Sequence, residues 1–259
     1  MPHLVLVDQR SATQTGNAEA ALQAWGRHAA GYGAGPEDEI AQIEALIEGA
    51  DVDGFVITAT AEKDPRLSWL HDREVPFVSF GRPWGIPLEA WESYPWVDID
   101  GRAGVRGATQ HFLAAGTQRV GYLGWPTRLG QDDERRQGWV EAMDAAGTPR
   151  DGLELAVEDD VDAAAAAVRA ALSAGVPFEA VVCASDTLAL GARMALPAAV
   201  RLVGYDDTPA AGALGTPSVA QPLVEAARAA VEILLGPTGH AVLPAPAGHH
   251  LLEPSVAWR

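Results

Sequence analysis

The chain is short of cysteine, of positive charge and of long apolar runs, and each shortage closes off a class of function. Its 259 residues include one cysteine, Cys183. An intrachain disulfide and a cysteine-built zinc site are therefore excluded. That usage suits a reducing cytoplasm, where the protein is expected to reside. Lys and Arg number 18 against 35 Asp and Glu, a formal net charge of −17. Such a surface repels phosphate backbones and anionic lipid headgroups. The opening MPHLVLVDQR has no basic stretch leading into an apolar run, so no export signal is expected. No apolar run approaches the length of a membrane span, and no membrane association is expected.

Catalytic signatures are missing as well. There is no Gly-x-Ser-x-Gly elbow, no His-Glu-x-x-His and no Gly-Lys-Ser/Thr phosphate loop. Gly31, Gly33 and Gly35 follow a helix-like segment rather than a strand, so a dinucleotide reading fails on context. Cys183 lies in an apolar strand and reads as a packed core thiol, since apolar burial disfavours the reactive thiolate. His249 and His250 are adjacent in a strand and should point to opposite faces, which speaks against a paired metal site. The acidic run 158–160 reads as a solvated loop or helix cap. The chain is expected not to be an enzyme and to carry neither cofactor nor metal.

What is present is a globular composition, 48% hydrophobic and 20% charged. At this length one large domain or two linked ones are expected, with a core large enough to need no staple. Short apolar runs alternate with Ala-rich amphipathic segments. The apolar spacing predicts strands over residues 3–8, 53–58, 77–80, 94–99, 119–123, 153–157, 180–183, 200–204 and 250–257. Between them the pattern predicts helices over 17–30 (capped by Asn17), 37–48, 64–71, 101–115, 132–145, 161–173, 186–195 and 223–235. Strand then helix, repeated, demands parallel sheets with helices on both faces. Two sheets fit this count better than one, with the break near residues 96–100 after a Pro- and Trp-rich loop. In open α/β sheets ligands sit beyond the carboxyl ends of strands. The residues there (8–10, 58–60, 81–82, 125–128, 158–160, 185–186 and 205–207) are rich in Asp, Arg and Ser.

Several segments, in order, carry a resemblance: VDGFVIT (52–58), VPFVSFGR (75–82), VDIDGRAGVRGATQHFLAAGTQRVGYLGWP (97–126), DERRQGWVEAMDAAG (133–147), AVVCASDTLALGARMAL (180–196), VRLVGYDDTP (200–209), SVAQPLVEAARAAVEILL (218–235) and LLEPSVAWR (251–259). Together the sequence resembles the effector-binding domain of LacI-type (lactose/galactose repressor) transcription regulators over most of its length. The resemblance implies an α/β fold like that of periplasmic binding proteins. Two doubly wound parallel-sheet subdomains, residues 1–97 with 221–249 and 98–220 with 250–259, would be joined by three crossings near Val97, Gln221 and His249. An effector in the interlobe cleft would shift the hinge. In the family this changes how a homodimer presents its helix-turn-helix heads to an operator. The head itself is missing from this sequence, and the connection between Met194 and Val200 is compressed.

The resemblance also assigns ligand-binding positions. The arginine of the family's R-x-x-G-aromatic motif falls on Arg135, whose rigid fork suits adjacent hydroxyls or a carboxylate. The acid after the Gly-Tyr strand end falls on Asp206, an acceptor for two sugar hydroxyls, leaving Asp207 to serve the turn. Ser185 precedes a helix and reads as both N-cap and ligand contact. Trp96, at the first crossing, is a stacking surface for the apolar face of a sugar ring or else a core residue. Arg82, in a Gly-Arg pair at a strand end, is a further candidate donor. The position near Val161, often aromatic in the family, is aliphatic. Eight tryptophans, with Trp84, Trp91, Trp96 and Trp125 in segments expected to flank the cleft, favour a carbohydrate effector over a purine. The expected function is thus a sugar-sensing domain of a repressor. An exported sugar-binding protein of a transporter uses the same fold and remains the alternative. With a net charge of −17, the 259-residue chain alone is expected to give no mobility shift of DNA at physiological salt; a salt-sensitive shift would contradict this reading of its surface.

Overall fold

The computed structural model describes residues 4–7, 36–49, 54–127, 129–235 and 248–259. The sequence-predicted helix 17–30, whose Ala/Leu stripe is a candidate dimer face, and the Gly31–Gly35 turn lie outside the described residues. The chain divides into two compact units, Met1–Ile99 with Pro222–Leu252 and Asp100–Gln221 with Glu253–Arg259.

In the first unit, strands β1 (Leu4–Val7), β2 (Gly54–Ile57), β3 (Phe77–Phe80), β4 (Trp96–Ile99) and β10 (His249–Leu252) form one sheet in the order β1-β2-β3-β4-β10. Its helices are α1 (Pro36–Gly49), α2 (Pro65–Asp72) and α8 (Leu223–Leu235), and a 3-10 turn covers Leu88–Ser93. The period-2 alternation of strands sorts their side chains to two faces. Phe55, Ile57 and Phe77 pack with Ile43, Leu67 and Leu70, whereas Val56, Val78 and Val97 pack with Ala226, Ala230, Ile233 and Leu234. Both faces are covered, which is why these strands read as continuous apolar runs. One pairing departs from the parallel expectation: β1 runs antiparallel to β2. Among the described residues it has a neighbour on one side only, and its LVLV pattern admits either direction.

The second unit holds a six-stranded sheet in the order β11-β9-β8-β7-β5-β6. Its strands are β5 (Val120–Gly124), β6 (Glu154–Ala156), β7 (Ala180–Cys183), β8 (Arg201–Tyr205), β9 (Ser218–Ala220) and β11 (Ser255–Ala257). All neighbours are parallel except β11, which runs antiparallel to β9. The helices are α3 (Gly101–Ala114), α4 (Gly130–Ala145), α5 (Val161–Ser173), α6 (Asp186–Ala195) and the single turn α7 (Pro209–Ala213). Side-chain oxygens of Asp100, Asp160, Ser185 and Thr208 accept backbone N–H groups at the starts of α3, α5, α6 and α7, satisfying donors that a helix start leaves orphaned. One core, built around Trp139, Tyr122, Met143, Leu123 and Leu188, fills the unit, and Cys183 is fully buried in it. The compressed link after Met194 is closed by Arg193, which donates to the carbonyls of Leu196, Pro197 and Val200 at 2.8, 2.9 and 3.2 Å.

The final strand differs from its sequence reading. The apolar pattern predicts a single strand over 250–257, and the resemblance implies that residues 250–259 belong to the second domain. The chain instead breaks at Glu253 and Pro254: β10 pairs in parallel with β4 of the first unit, and β11 pairs with β9 of the second. Proline has no N–H to continue a ladder, so the break falls there. The crossings accordingly follow Ile99, Gln221 and Leu252.

Helices α3 and α4 pack closely because Gly138 presents no side chain to α3. A Cβ there would run into the backbone carbonyl of Arg102 and lie 3.0 Å from the Arg106 nitrogen. Gly138→Ala is expected to cost about 1–3 kcal/mol of second-unit stability, the range for overpacking a tight contact. Urea unfolding followed by circular dichroism reads this; a variant as stable as the parent would show that the two helices part freely.

Candidate functional site

Four neighbouring strands of the second sheet, β6, β5, β7 and β8, release their chains at the same edge. At the ends of β5, β7 and β8 the Trp125 ring, the Ala184 carbonyl, the Tyr205 ring and the Asp206 carboxylate surround Arg135. In α4 the residues facing inward are Asp132, Arg135, Gly138, Trp139, Ala142 and Met143. That spacing is helical, so Arg135 lies on the buried stripe by its position in the sequence. It is 2% exposed.

A guanidinium cannot shed its proton, so burial obliges the protein to surround it with acceptors and π faces. Nη1 donates to the Ala184 carbonyl at 2.5 Å. The Cζ atom lies 3.6 Å from the centroid of the Tyr205 ring and 5.3 Å from that of Trp125. Nη2 is 3.7 Å from Asp206 Oδ1, an ion pair longer than a direct hydrogen bond. Nε has no hydrogen-bond partner among the described residues, and neither has the buried indole nitrogen of Trp125.

Asp206 follows β8 with a φ of 106°, and Asp207 follows with a φ of 53°. These left-handed conformations are held by side chains. The Asp206 carboxylate accepts the Gln221 amide at 2.7 Å. The Asp207 N–H donates to Ser218 Oγ at 2.9 Å. Buried Asp186 pins the same turn, accepting Ser218 Oγ on one oxygen and both the N–H and hydroxyl of Thr208 on the other. Ser185 accepts the Leu188 N–H as N-cap of α6 and donates its proton to Asp159 Oδ1 at 2.5 Å. Burial pushes the Asp206 carboxyl up from 3.8 to about 6. The Arg135 charge pulls it down, Asp186 adds to the rise, the Gln221 hydrogen bond opposes it, and Asp159 adds a little more.

Arg135, Ser185 and Asp206 thus lie in one cluster of the second unit. Arg82 and Trp96 belong to the first unit. Arg82 follows β3, with Nε donating to Asp98 Oδ2 at 2.7 Å and Cζ 4.4 Å over the Trp84 ring. Trp96 is 8% exposed and stacks on His249, its register partner across β4 and β10, with ring centroids 5.0 Å apart. The edges of Trp84, Trp91 and Trp96 meet in sequence, at 6.1 Å for each pair. Nearby, the loop after β2 is tied down by Arg66, which donates to the carbonyls of Thr58 and Ala59 and pairs with buried Asp64 and Glu39. The sequence reading placed Trp125 beside the cleft and Asp186 among the strand-end residues without giving either a contact, and it gave Gln221, which directly follows β9, only a place at a crossing.

Because the folded protein holds Asp206 protonated to higher pH than the unfolded chain, Asp206 favours the fold below about pH 3.8 and the advantage is lost as pH rises through about 6. Asp206→Asn is therefore expected to gain stability relative to the parent on going from pH 4.5 to pH 7.5. Paired urea melts check it; a stability difference independent of pH would contradict the raised carboxyl.

Comparison with known proteins places this arrangement in context. The family model of periplasmic binding proteins and the sugar-binding domain of the LacI family matches residues 11–216. The HTH-type transcriptional regulator CelR of Thermobifida fusca is 34% identical over 211 residues, covering 76% of this chain and 61% of that protein. The HTH-type transcriptional regulator RafR of Escherichia coli is 34% identical over 173 residues, covering 63% of this chain and 49% of that one. The chain thus spans half to three fifths of the length of these relatives. Among solved structures, a regulatory protein of the LacI family from Chloroflexus aggregans superposes with a TM-score of 0.75 at 32% identity, covering 84% of this chain and 79% of that one. A complex of the transcriptional regulator CelR with cellobiose superposes with a TM-score of 0.72 at 31% identity, covering 85% and 68%.

Proposed function

The chain belongs to the family of periplasmic binding proteins and LacI-type sugar-binding domains, and on that premise we propose that it is the effector-binding domain of a bacterial transcriptional repressor whose effector is a sugar or glycoside. The observation that carries the reading is the Arg135–Asp206 pair, separated by 3.7 Å at the strand ends of the second unit. A saccharide hydroxyl is both donor and acceptor. Two vicinal hydroxyls can accept a hydrogen bond from the guanidinium and donate one to the carboxylate, and their ring presents C–H faces to aromatic side chains. Trp125 stands beside the pair with a buried, unused N–H.

Operator contact is assigned to a helix-turn-helix head, of the kind that the names of CelR and RafR record for those proteins. The acidic chain has too little positive charge for that task. The regulator is proposed to act in the cytoplasm as a homodimer, the arrangement that lets two heads meet two half-sites. Among the described residues no helix is long and apolar enough to cross a membrane. The transporter alternative shares the fold, but CelR and RafR are regulators, and this favours the repressor.

Isothermal titration calorimetry against neutral mono- and disaccharides, cellobiose included, and against nucleobases tests the proposal. Heat is expected from a saccharide and none from the nucleobases; the reverse would overturn it. Arg135→Lys keeps the charge and loses the fork, and is expected to weaken saccharide binding about 10–100-fold, as for a lost hydrogen bond to a charged group. Arg135→Ala is a poorer probe. A side chain 2% exposed and packed on Tyr205 leaves a cavity when truncated, so melting temperature should fall too.

A further inference from the structure

The acidic run after β6 reads from sequence as a solvated loop or helix cap, yet one of its members is tied to the start of α6. Ser185 Oγ bridges two elements, accepting the Leu188 N–H at 3.1 Å and donating to Asp159 Oδ1 at 2.5 Å. One oxygen of Asp159 is thereby fixed to the start of α6. The other has no partner among the described residues, and the side chain is exposed. Asp160 next door does different work: its carboxylate accepts the Ala163 N–H as N-cap of α5.

The cluster therefore offers two kinds of unused hydrogen-bonding capacity. Arg135 Nε and Trp125 Nε1 are buried donors without acceptors. Asp206 and Asp159 are acceptors with capacity to spare. Arg135 Nε is enclosed against Gly101, so the capacity open to a ligand is that of the two carboxylates, to which an uncharged polyol can give the protons of its hydroxyls. Among the described residues of the cluster, an anionic ligand gains the charge of Arg135 but meets the carboxylates of Asp159 and Asp206, with buried Asp186 behind them. A site can reject a competitor by presenting like charge to it.

Building on the effector-site reading above, we propose that Asp159 is a specificity-determining residue, its free carboxylate oxygen accepting a hydroxyl of an uncharged sugar and repelling uronates and sugar phosphates. Ser185 is its positioning partner. The proximity of Asp159 to Asp206, which helps to hold that carboxyl up, agrees with a shared ligand volume.

Calorimetry at pH 7.5 on the full chain tests this, with a panel of neutral mono- and disaccharides (cellobiose included) set against glucuronate, galacturonate and glucose 6-phosphate. The parent is expected to bind a neutral member and to give no heat with the anions. Asp159→Asn keeps an acceptor for Ser185 but removes the charge. It is expected to lose about tenfold or more in affinity for the neutral sugar, and the neutral-to-anionic ratio should narrow by at least the same factor. Asp160→Asn, which keeps a good N-cap, should leave the ratio unchanged. A parent that binds a neutral sugar, with Asp159→Asn retaining both affinity and ratio, would overturn the proposal and leave the sensor reading standing. A parent that prefers the anions would overturn the proposal alone. No heat from any saccharide would overturn both.

Discussion

A permanently charged guanidinium, buried because its helix position points it inward, is the constraint around which the second unit is arranged. Arg135 occupies the same stripe of α4 as Trp139 and Met143, and only its immediate surroundings make that tolerable. Ala184 lends a carbonyl where β7 ends, Tyr205 lends a ring face at the end of β8, and Asp206 lends a carboxylate one residue later. Each is the product of a strand ending at the same edge of a parallel sheet. The left-handed backbone at Asp206 and Asp207 is held by Asp186, Ser218 and Gln221, so the acid cannot relax away from the arginine without breaking that turn.

The proposed neutral, hydroxylated effector draws on the same arrangement. The ion pair is longer than a hydrogen bond, and donors on Arg135 and Trp125 remain unused. Such a site holds its groups ready while leaving them short of partners, the preorganisation that lets a ligand gain affinity without reorganising the protein. Burial raises the Asp206 carboxyl to about 6, so its acceptor capacity is complete only above that pH. In the first unit, Arg82 is engaged with Asp98 and Trp84 and the Trp96 ring stacks on His249, while the buried Trp96 indole N–H, like that of Trp125, has no hydrogen-bond partner among the described residues.

Much of this was legible in the sequence, for physical reasons. The strand at residues 77–80 and the helices at 161–173, 186–195 and 223–235 were read with the bounds that the structure shows, because apolar periodicity and, for two of them, the capping residues Asp160 and Ser185 mark them. The five-residue turn α7 and the three-residue strand β9 are too short to show a period, and neither was read. Pro254 splits what an apolar pattern joins, and the LVLV pattern of β1 leaves its direction unmarked. At the site, Ser185 and Asp206 were marked by their places after strands, and Arg135, inside α4, only by the motif that the resemblance supplies. The role of Asp159 did not, because an acidic run looks the same whether its members face solvent, cap a helix or brace a serine on another strand. Pairings such as Arg82 with Asp98 span 16 residues and carry no local signal.

If a sugar binds by donating hydroxyl protons to Asp206, it must favour the ionised carboxylate, and binding near pH 6 must expel a proton. Calorimetric titration of the binding saccharide at pH 6, in two buffers of different ionisation enthalpy, measures this directly. Net proton release, disappearing in Asp206→Asn, is the expected result. Proton uptake, or no exchange at all, would contradict the assignment of the buried pair as the sugar's anchor.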